Sequence, residues 1–328
     1  MHRNWLDKLV CHQCKTPLLL HDEIETDGLI ETGTLSCITC KKDFAIRGGI
    51  PRFVTLDAEY ENFGVQWNKF RRTQIDSLSG LTQSEDRFFR ETDFKKNQIG
   101  NKLFLDAGCG AGRFADIVLK YGGEVICVDI SNAVDACKEN LIALGYDIRK
   151  FLIVQASIYE LPFCDGTFDR IYSLGVIQHM PDRQKSIECL SEKLSKSGKL
   201  AIWVYEKNIF QLFMYKYYFR ILTKHLSWKI NYRISVILTD IFFPFGNLLH
   251  KFKLTFFTRF LPFAFRAAGD YEVSKEWSLL DTFDSLSPRY DNPLTFNNCK
   301  TWFKKAGLTD VRRLNARGLS VVGTKDSA

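Results

Sequence analysis

The sequence predicts an α/β fold: a doubly wound, mainly parallel, seven-stranded sheet with helices on both faces. Three observations predict it. Residues 103–112, L-F-L-D-A-G-C-G-A-G, run from an apolar stretch through Asp106 into Gly108, Gly110 and Gly112, and a helical pattern follows. Glycine suits such a turn because it reaches positive φ without penalty and lets a ligand lie against bare backbone. A second apolar stretch, 125–128, ends in Asp129, seventeen residues after Gly112. Beyond it, apolar runs and helical patterns alternate, as parallel strands and crossover helices do.

The elements follow in order. Strands are expected at 103–107, 124–129, 150–155, 168–173 and 199–205, with helices near 112–121, 132–145 and 183–195. Lys196-Ser197-Gly198 reads as the turn before the fifth strand. A helix at 295–306 and strands near 309–314 and 318–324 complete a Rossmann-like sheet of seven. This domain is read as 101–205 together with 271–328, interrupted by an insertion at 206–270.

Residues 1–53 read as a separate small unit. Cys11-x-x-Cys14 and Cys37-x-x-Cys40 are separated by 22 residues rich in β-like stretches and turns. Two such pairs suit four thiolates around one structural zinc, and metal would supply the stability that so small a core lacks. His12 and His21 are nearby, but the paired cysteines make them unnecessary as ligands. The other six cysteines sit singly in apolar surroundings and read as reduced thiols. Residues 54–100 read as a helical connector whose aromatics, from Tyr60 to Phe94, either pack the helices or form a flap. Gln66, Trp67 and Arg71 are its candidates for substrate contact.

A hydrophobic content of 45% with 25% charged residues argues for a globular chain and against a disordered or fibrous one. The first residues lack the apolar core of a signal peptide, which predicts a cytoplasmic protein. The net charge of +7 is localised. Residues 207–266 hold ten Lys or Arg and one acid, Asp240, so the remainder is slightly acidic.

Glycine spacing narrows the ligand. G-x-G-x-G is not the G-x-G-x-x-G of dinucleotide folds, and Asp106 places an anion where a pyrophosphate would lie. A cationic ligand with an amino-acid tail fits better. With D-A-G-C-G-A-G-R-F followed by V-D-I-S, the chain resembles the class I S-adenosylmethionine-dependent methyltransferases. Its first unit resembles the Trm112-like zinc ribbons joined to some of them.

The resemblance implies S-adenosylmethionine as donor, held by Asp106, Gly108, Gly110, Gly112, Asp129 and Ile130. Asp106 would meet the donor ammonium and Asp129 the ribose hydroxyls. Ser157 stands where similar enzymes often have an aspartate at the adenine; Ile158 and Leu174 complete the expected surroundings. Asp165-Gly166 reads as a turn and Phe168 as core.

For the acceptor, His179 is the single histidine between residues 22 and 224, so any imidazole base in this portion must be His179. A packing role is the alternative. In Asp281–Asp291, Tyr290 could bind or deprotonate a hydroxyl and Arg289 could meet an anionic group; an ordinary turn cluster is the alternative.

Seventeen aromatics between 207 and 266, with Pro244, Gly246 and Pro262, predict short helices. The insertion reads first as a lid and second as a peripheral membrane surface on the inner face of a membrane. In the second reading Phe242, Phe243, Phe245, Phe256 and Phe257 insert, and Lys216, Arg220, Lys224, Lys251 and Lys253 lie at head-group level. The acceptor expected is a small or lipid- or carrier-linked metabolite, of the kind met in polysaccharide or secondary-metabolite pathways. An RNA methyltransferase using the ribbon is the runner-up. Against nucleic acid stand the acidic remainder and the lack of an Asn-Pro-Pro-Tyr stretch after strand four. A non-catalytic, donor-binding partner subunit is a further alternative.

Overall fold

The computed structural model describes residues 1–54, 61–208, 214–316 and 318–326. The N-terminal strands are β1 (Leu18–Thr26), β2 (Leu29–Cys37), β3 (Asp43–Arg47) and β4 (Ile50–Arg52). The connector supplies α1 (Glu61–Lys69), α2 (Asp76–Ser79) and α3 (Gln83–Thr92). Then come β5 (Leu103–Ala107), α4 (Ala115–Lys120), β6 (Glu124–Asp129), α5 (Ala133–Ala143), β7 (Phe151–Gln155), β8 (Phe168–Leu174), α6 (Arg183–Glu192) and β9 (Leu194–Val204). The insertion forms α7 (Tyr215–Thr223) and α8 (Trp228–Lys251), followed by α9 (Tyr271–Leu286). Helix α10 (Phe296–Lys305) and strands β10 (Leu308–Leu314) and β11 (Leu319–Lys325) close the chain.

The sheet runs β1-β2-β3-β4-β7-β6-β5-β8-β9-β11-β10. Its last seven strands are the expected Rossmann-like set, parallel from β7 to β9, with β11 antiparallel to both neighbours. The count differs from seven because the N-terminal unit adds its four strands to the same sheet. Arg52 pairs with Gln155, so β4 lies parallel to β7, and Phe53 N–H donates to the Gln155 carbonyl at 2.8 Å. Trp5, Leu9, Ile30, Leu35, Phe44 and Phe53 share one apolar core with Leu105, Ile126, Leu152 and Val154. Edge pairing between distant segments leaves no trace in local periodicity, and that is why it went unread.

Three local readings also change. The Lys196–Gly198 turn is absorbed within β9, where Ser197 has φ +61° and the pairing with β8 skips. Helix α8 passes unbroken through Pro244 and Gly246, although both predict a break. A Cβ on Gly246 would lie 2.6 Å from the Phe265 ring, so this glycine serves close packing. Asp281 and Asp284 belong to α9 and not to a loop. In the connector, Phe88 and Phe94 are buried against Phe104, Phe114 and Tyr172; Tyr60 lies outside the described residues.

Candidate active site

At the C-terminal end of β5 the chain turns through Gly108 (φ +88°), Gly110 (φ +51°) and Gly112 (φ +86°). The loop is held by backbone: the amides of Gly108 and Cys109 both donate to the Val128 carbonyl, at 2.8 and 3.0 Å. Asp129, at the tip of β6, pins its crown. Its Oδ2 accepts from Gly110 N–H at 3.0 Å, and its Oδ1 accepts from Ser131 N–H at 2.9 Å and Ser131 Oγ at 2.7 Å. The Ile130 amide also acts on this carboxylate, so Asp129 is extensively held by the protein's own donors.

Behind the loop, Asp106 is buried. Its Oδ2 and the Tyr172 hydroxyl act on one another, but neither atom makes a well-formed hydrogen bond. Burial pushes the Asp106 carboxyl up to about 8, with Asp129 contributing a smaller increase and Tyr172 opposing it. An unsatisfied buried carboxyl beside a glycine cradle is the feature a donor ammonium would complete. The residues present therefore fit an amino-acid-bearing cationic ligand.

The surroundings of the loop come from three segments. A Cβ on Gly110 would lie 3.1 Å from the Trp67 ring, and one on Gly108 would lie 2.4 Å from Val176 Cγ2. Trp67 thus lies over the loop. Ile158 and Leu174 are buried, and Ile130 is partly exposed with its carbonyl accepting from Gln155 Nε2 at 3.1 Å. Ser157 Oγ caps the short turn that follows by accepting from Tyr159 N–H at 3.2 Å.

Beside this donor side lies a second polar cluster, built largely from side chains. His179 follows β8, and its Nδ1–H donates to the Tyr290 carbonyl at 2.7 Å. This leaves Nε2 as the acceptor nitrogen, 3.3 Å from the Gln178 amide nitrogen. Burial lowers the imidazole pKa and raises that of Asp284, favouring the neutral form of each. Asp284 accepts from Gln66 Nε2 at 3.1 Å and from the Tyr205 hydroxyl at 3.5 Å. Lys216 of α7 sits 4.0 Å from the Tyr205 ring centroid and pairs with Asp291 at 2.8 Å; Arg220 lies 4.0 Å from the same carboxylate.

Buried acceptor atoms remain unpaired here too: Gln178 Oε1 and Asp291 Oδ1. Alongside, a cleft of about 810 Å³ is lined by Tyr217, Asn292, Arg183, Lys207 and Trp302. Asn292 N–H donates to the Gln178 carbonyl at 3.0 Å, which ties the cleft wall to the His179 turn.

The structure thus brings Gln66, Trp67 and His179 to the site and leaves other candidates aside. Arg71 pairs with Glu139 among exposed groups. Tyr290 offers His179 its backbone carbonyl, while Arg289 is exposed and lies 5.7 Å from the Tyr290 ring. Lys216 and Arg220 are buried ion-pair partners, which corrects their placement at a lipid head-group level. Sequence reasoning missed Asp284, Tyr205 and Asp291 as site residues. The signal for Asp284 was its place four residues after Leu280 and seven after Trp277, both buried, so that the helical register carries the carboxylate inward.

In the N-terminal unit, the four sulfurs of Cys11, Cys14, Cys37 and Cys40 lie within 4.8 Å of one another. Those of Cys11 and Cys40 are 3.7 Å apart. Tetrahedral ligands at a Zn–S distance of about 2.3 Å would be spaced at roughly 3.8 Å, so the donor set fits zinc. Among the described residues, neither His12 nor His21 joins this group.

A family profile described as "Methyltransferase domain" matches residues 105–202, which span the glycine loop, Asp129 and His179. Residues 105–202 thus carry the sequence pattern of a methyltransferase domain. Its similarity to methyltransferase GfsG of Streptomyces halstedii is 27% over 128 residues, covering 38% of this chain and 46% of that protein. With O-methyltransferase resE of Aspergillus sclerotiorum it is 25% over 165 residues, covering 45% and 62%. The chain spans less than two thirds of the length of these relatives. Among solved structures, a SAM-dependent methyltransferase from Aquifex aeolicus is 13% identical, with 82% of this chain and 99% of that one covered and a TM-score of 0.41.

Proposed function

We propose that this protein transfers a methyl group from S-adenosylmethionine to a small-molecule or lipid- or carrier-linked metabolite. One observation supports this above the others: the glycine loop that follows β5 is pinned by Asp129, and the buried Asp106 carboxyl at the end of the same strand has Oδ2 in no well-formed hydrogen bond. The donor, when bound, supplies an electrophilic methyl on a sulfonium. The chain's own part is to hold it. Gly108 and Gly110 let Val176 and Trp67 close over the loop, Asp106 receives the ammonium, and Asp129 meets the ribose.

On the acceptor side, His179 is proposed as base. The Tyr290 carbonyl fixes the proton on Nδ1 and orients Nε2 as the position that takes a proton from the acceptor. Tyr205 and Gln66 hold Asp284 within this pocket, and Arg183 and Lys207 give the adjoining cleft a positive character suited to an anionic acceptor. Zinc on the four cysteines is proposed as structural only, since four sulfurs leave no position for substrate.

Calorimetric titration with S-adenosylmethionine and with its demethylated product tests the donor assignment. Saturable binding of either is the expected result. Absence of binding to folded protein would overturn it and favour a partner subunit that has lost the cofactor. Once an acceptor is found, His179→Ala should lower turnover by ~10²-fold with donor binding retained. A loss confined to donor affinity would assign His179 to packing.

A further inference from the structure

Helix α8 is amphipathic the wrong way round. Its buried stripe is Asn231, Ser235, Thr239 and Gly246 with the single large apolar residue Phe243. These inner polar groups make local bonds: Asn231 Nδ2 donates to the Thr223 carbonyl at 2.9 Å, and Ser235 Oγ donates to the Asn231 carbonyl at 2.8 Å. The outward residues are Ile230, Ile237, Ile241, Phe245 and Leu248, and Phe252 continues the series. Steps of seven, four, four, three and four place them on one stripe of the helix. Ile237 is 57% exposed, Phe245 58% and Phe252 69%.

The chain then adds an exposed aromatic knot. Rings of Phe256, Phe257 and Phe260 touch one another, with centroids 5.6 to 6.5 Å apart, and Arg259 lies 4.0 Å from the Phe256 centroid. Contiguous apolar surface of this kind is costly in water and marks a contact surface.

Charge identifies the contact. Lys229, Arg233, Lys251, Lys253 and Arg259 are exposed in the same stretch. The one acid among them, Asp240, is paired with Lys275 at 2.8 Å. A second copy of this chain would bring like charges together. No helix among the described residues is long and apolar enough to cross a membrane. An apolar stripe with phenylalanines and an adjacent row of cations instead suits a helix lying flat in a lipid head-group region.

We propose that the outward face of α8 and the 252–260 turn dock the protein onto an anionic lipid bilayer. The insertion that docks also carries α7, whose Lys216 and Arg220 enter the acceptor pocket. On the proposed function, the pocket would then take its acceptor beside the bilayer.

The test is co-sedimentation of the full chain with phosphatidylcholine vesicles, with and without phosphatidylglycerol. Binding is expected with phosphatidylglycerol and should fall as salt rises. I241S/F245S, and separately K251E/K253E, should each weaken it about tenfold or more. Circular dichroism and donor titration on the same preparations establish that the variants fold and that the donor site is intact. Failure to bind phosphatidylglycerol vesicles would overturn the proposal, as would unchanged binding by both variants. A stable dimer in sedimentation velocity that I241S/F245S dissolves would overturn it in favour of self-association. The donor titration reads the proposed function separately, so either idea can fail alone.

Discussion

Helices α10 and α8 both have one apolar face, and they aim it in opposite directions. Helix α10 buries Cys299 and Phe303 against the sheet and turns Asn297, Lys300, Lys304 and Lys305 to water. Helix α8 buries asparagine, serine and threonine and turns isoleucine and phenylalanine outward. In the first, apolar burial fixes the fold. In the second, local hydrogen bonds and a few aromatic contacts hold the helix, and the apolar face is left for something outside the chain. The sheet and the helix that closes it are thus finished by their own packing, while the insertion is not.

The comparison breaks most visibly through core truncation. Phe303 is fully buried, and a Cβ on Gly323 of β11 would lie 2.8 Å from its ring. Phe303→Ala should destabilise the protein by about 3–5 kcal/mol, read as a fall in the urea midpoint. A loss under ~1 kcal/mol would mean that α10 is not held by apolar burial.

The donor side should yield a smaller, localised effect. Asp129 also accepts from Gly110 N–H and Ser131 within the protein, so its removal frees the Gly110 amide as well as the ribose contact. Asp129→Ala should weaken donor binding by about 1–3 kcal/mol. Unchanged affinity would sink the ribose assignment.

What could be read from the chain follows the same division. β5 and β6 match their sequence reading residue for residue, because an apolar run bounded by glycines and an aspartate has few other uses. Gln66 and Trp67 are candidates on different grounds: aromatic and polar residues in a helical connector ahead of β5, where the resemblance implies a flap over the pocket. The acceptor pocket was less legible. Asp284 looked like loop punctuation until α9 placed it, and Lys216 and Arg220 looked like surface cations until Asp291 was found beside them. Periodicity says which residues share a face. It does not say which face meets the protein, and α8 is the case where that guess reverses.

Protonation of Asp106 separates the two halves further. Its carboxyl is held near 8, well above its ordinary 3.8, so at pH 7 it is mostly protonated in the free protein. A raised carboxyl is a stability term present at low pH and lost as pH rises toward 8. A donor ammonium at Oδ2 favours the ionised form, so binding at pH 7 should release up to about one proton. Calorimetry in buffers of different ionisation enthalpy reads this directly, and Asp106→Asn should abolish it. Equal enthalpies in all buffers would place the ammonium elsewhere.

The smallest expected effect is the most telling for α8. If its outward stripe serves a partner and not the fold, Ile237→Ser should change stability by no more than about 0.5 kcal/mol, despite the loss of a large apolar side chain. The same exchange at a buried isoleucine of the sheet, such as Ile126, would cost several kcal/mol. A substantial loss at Ile237 in dilute monomeric protein would show that the stripe packs on the chain itself. Near-zero change leaves the apolar face with no intramolecular purpose, and the selection for isoleucine and phenylalanine along it then falls to whatever surface it meets.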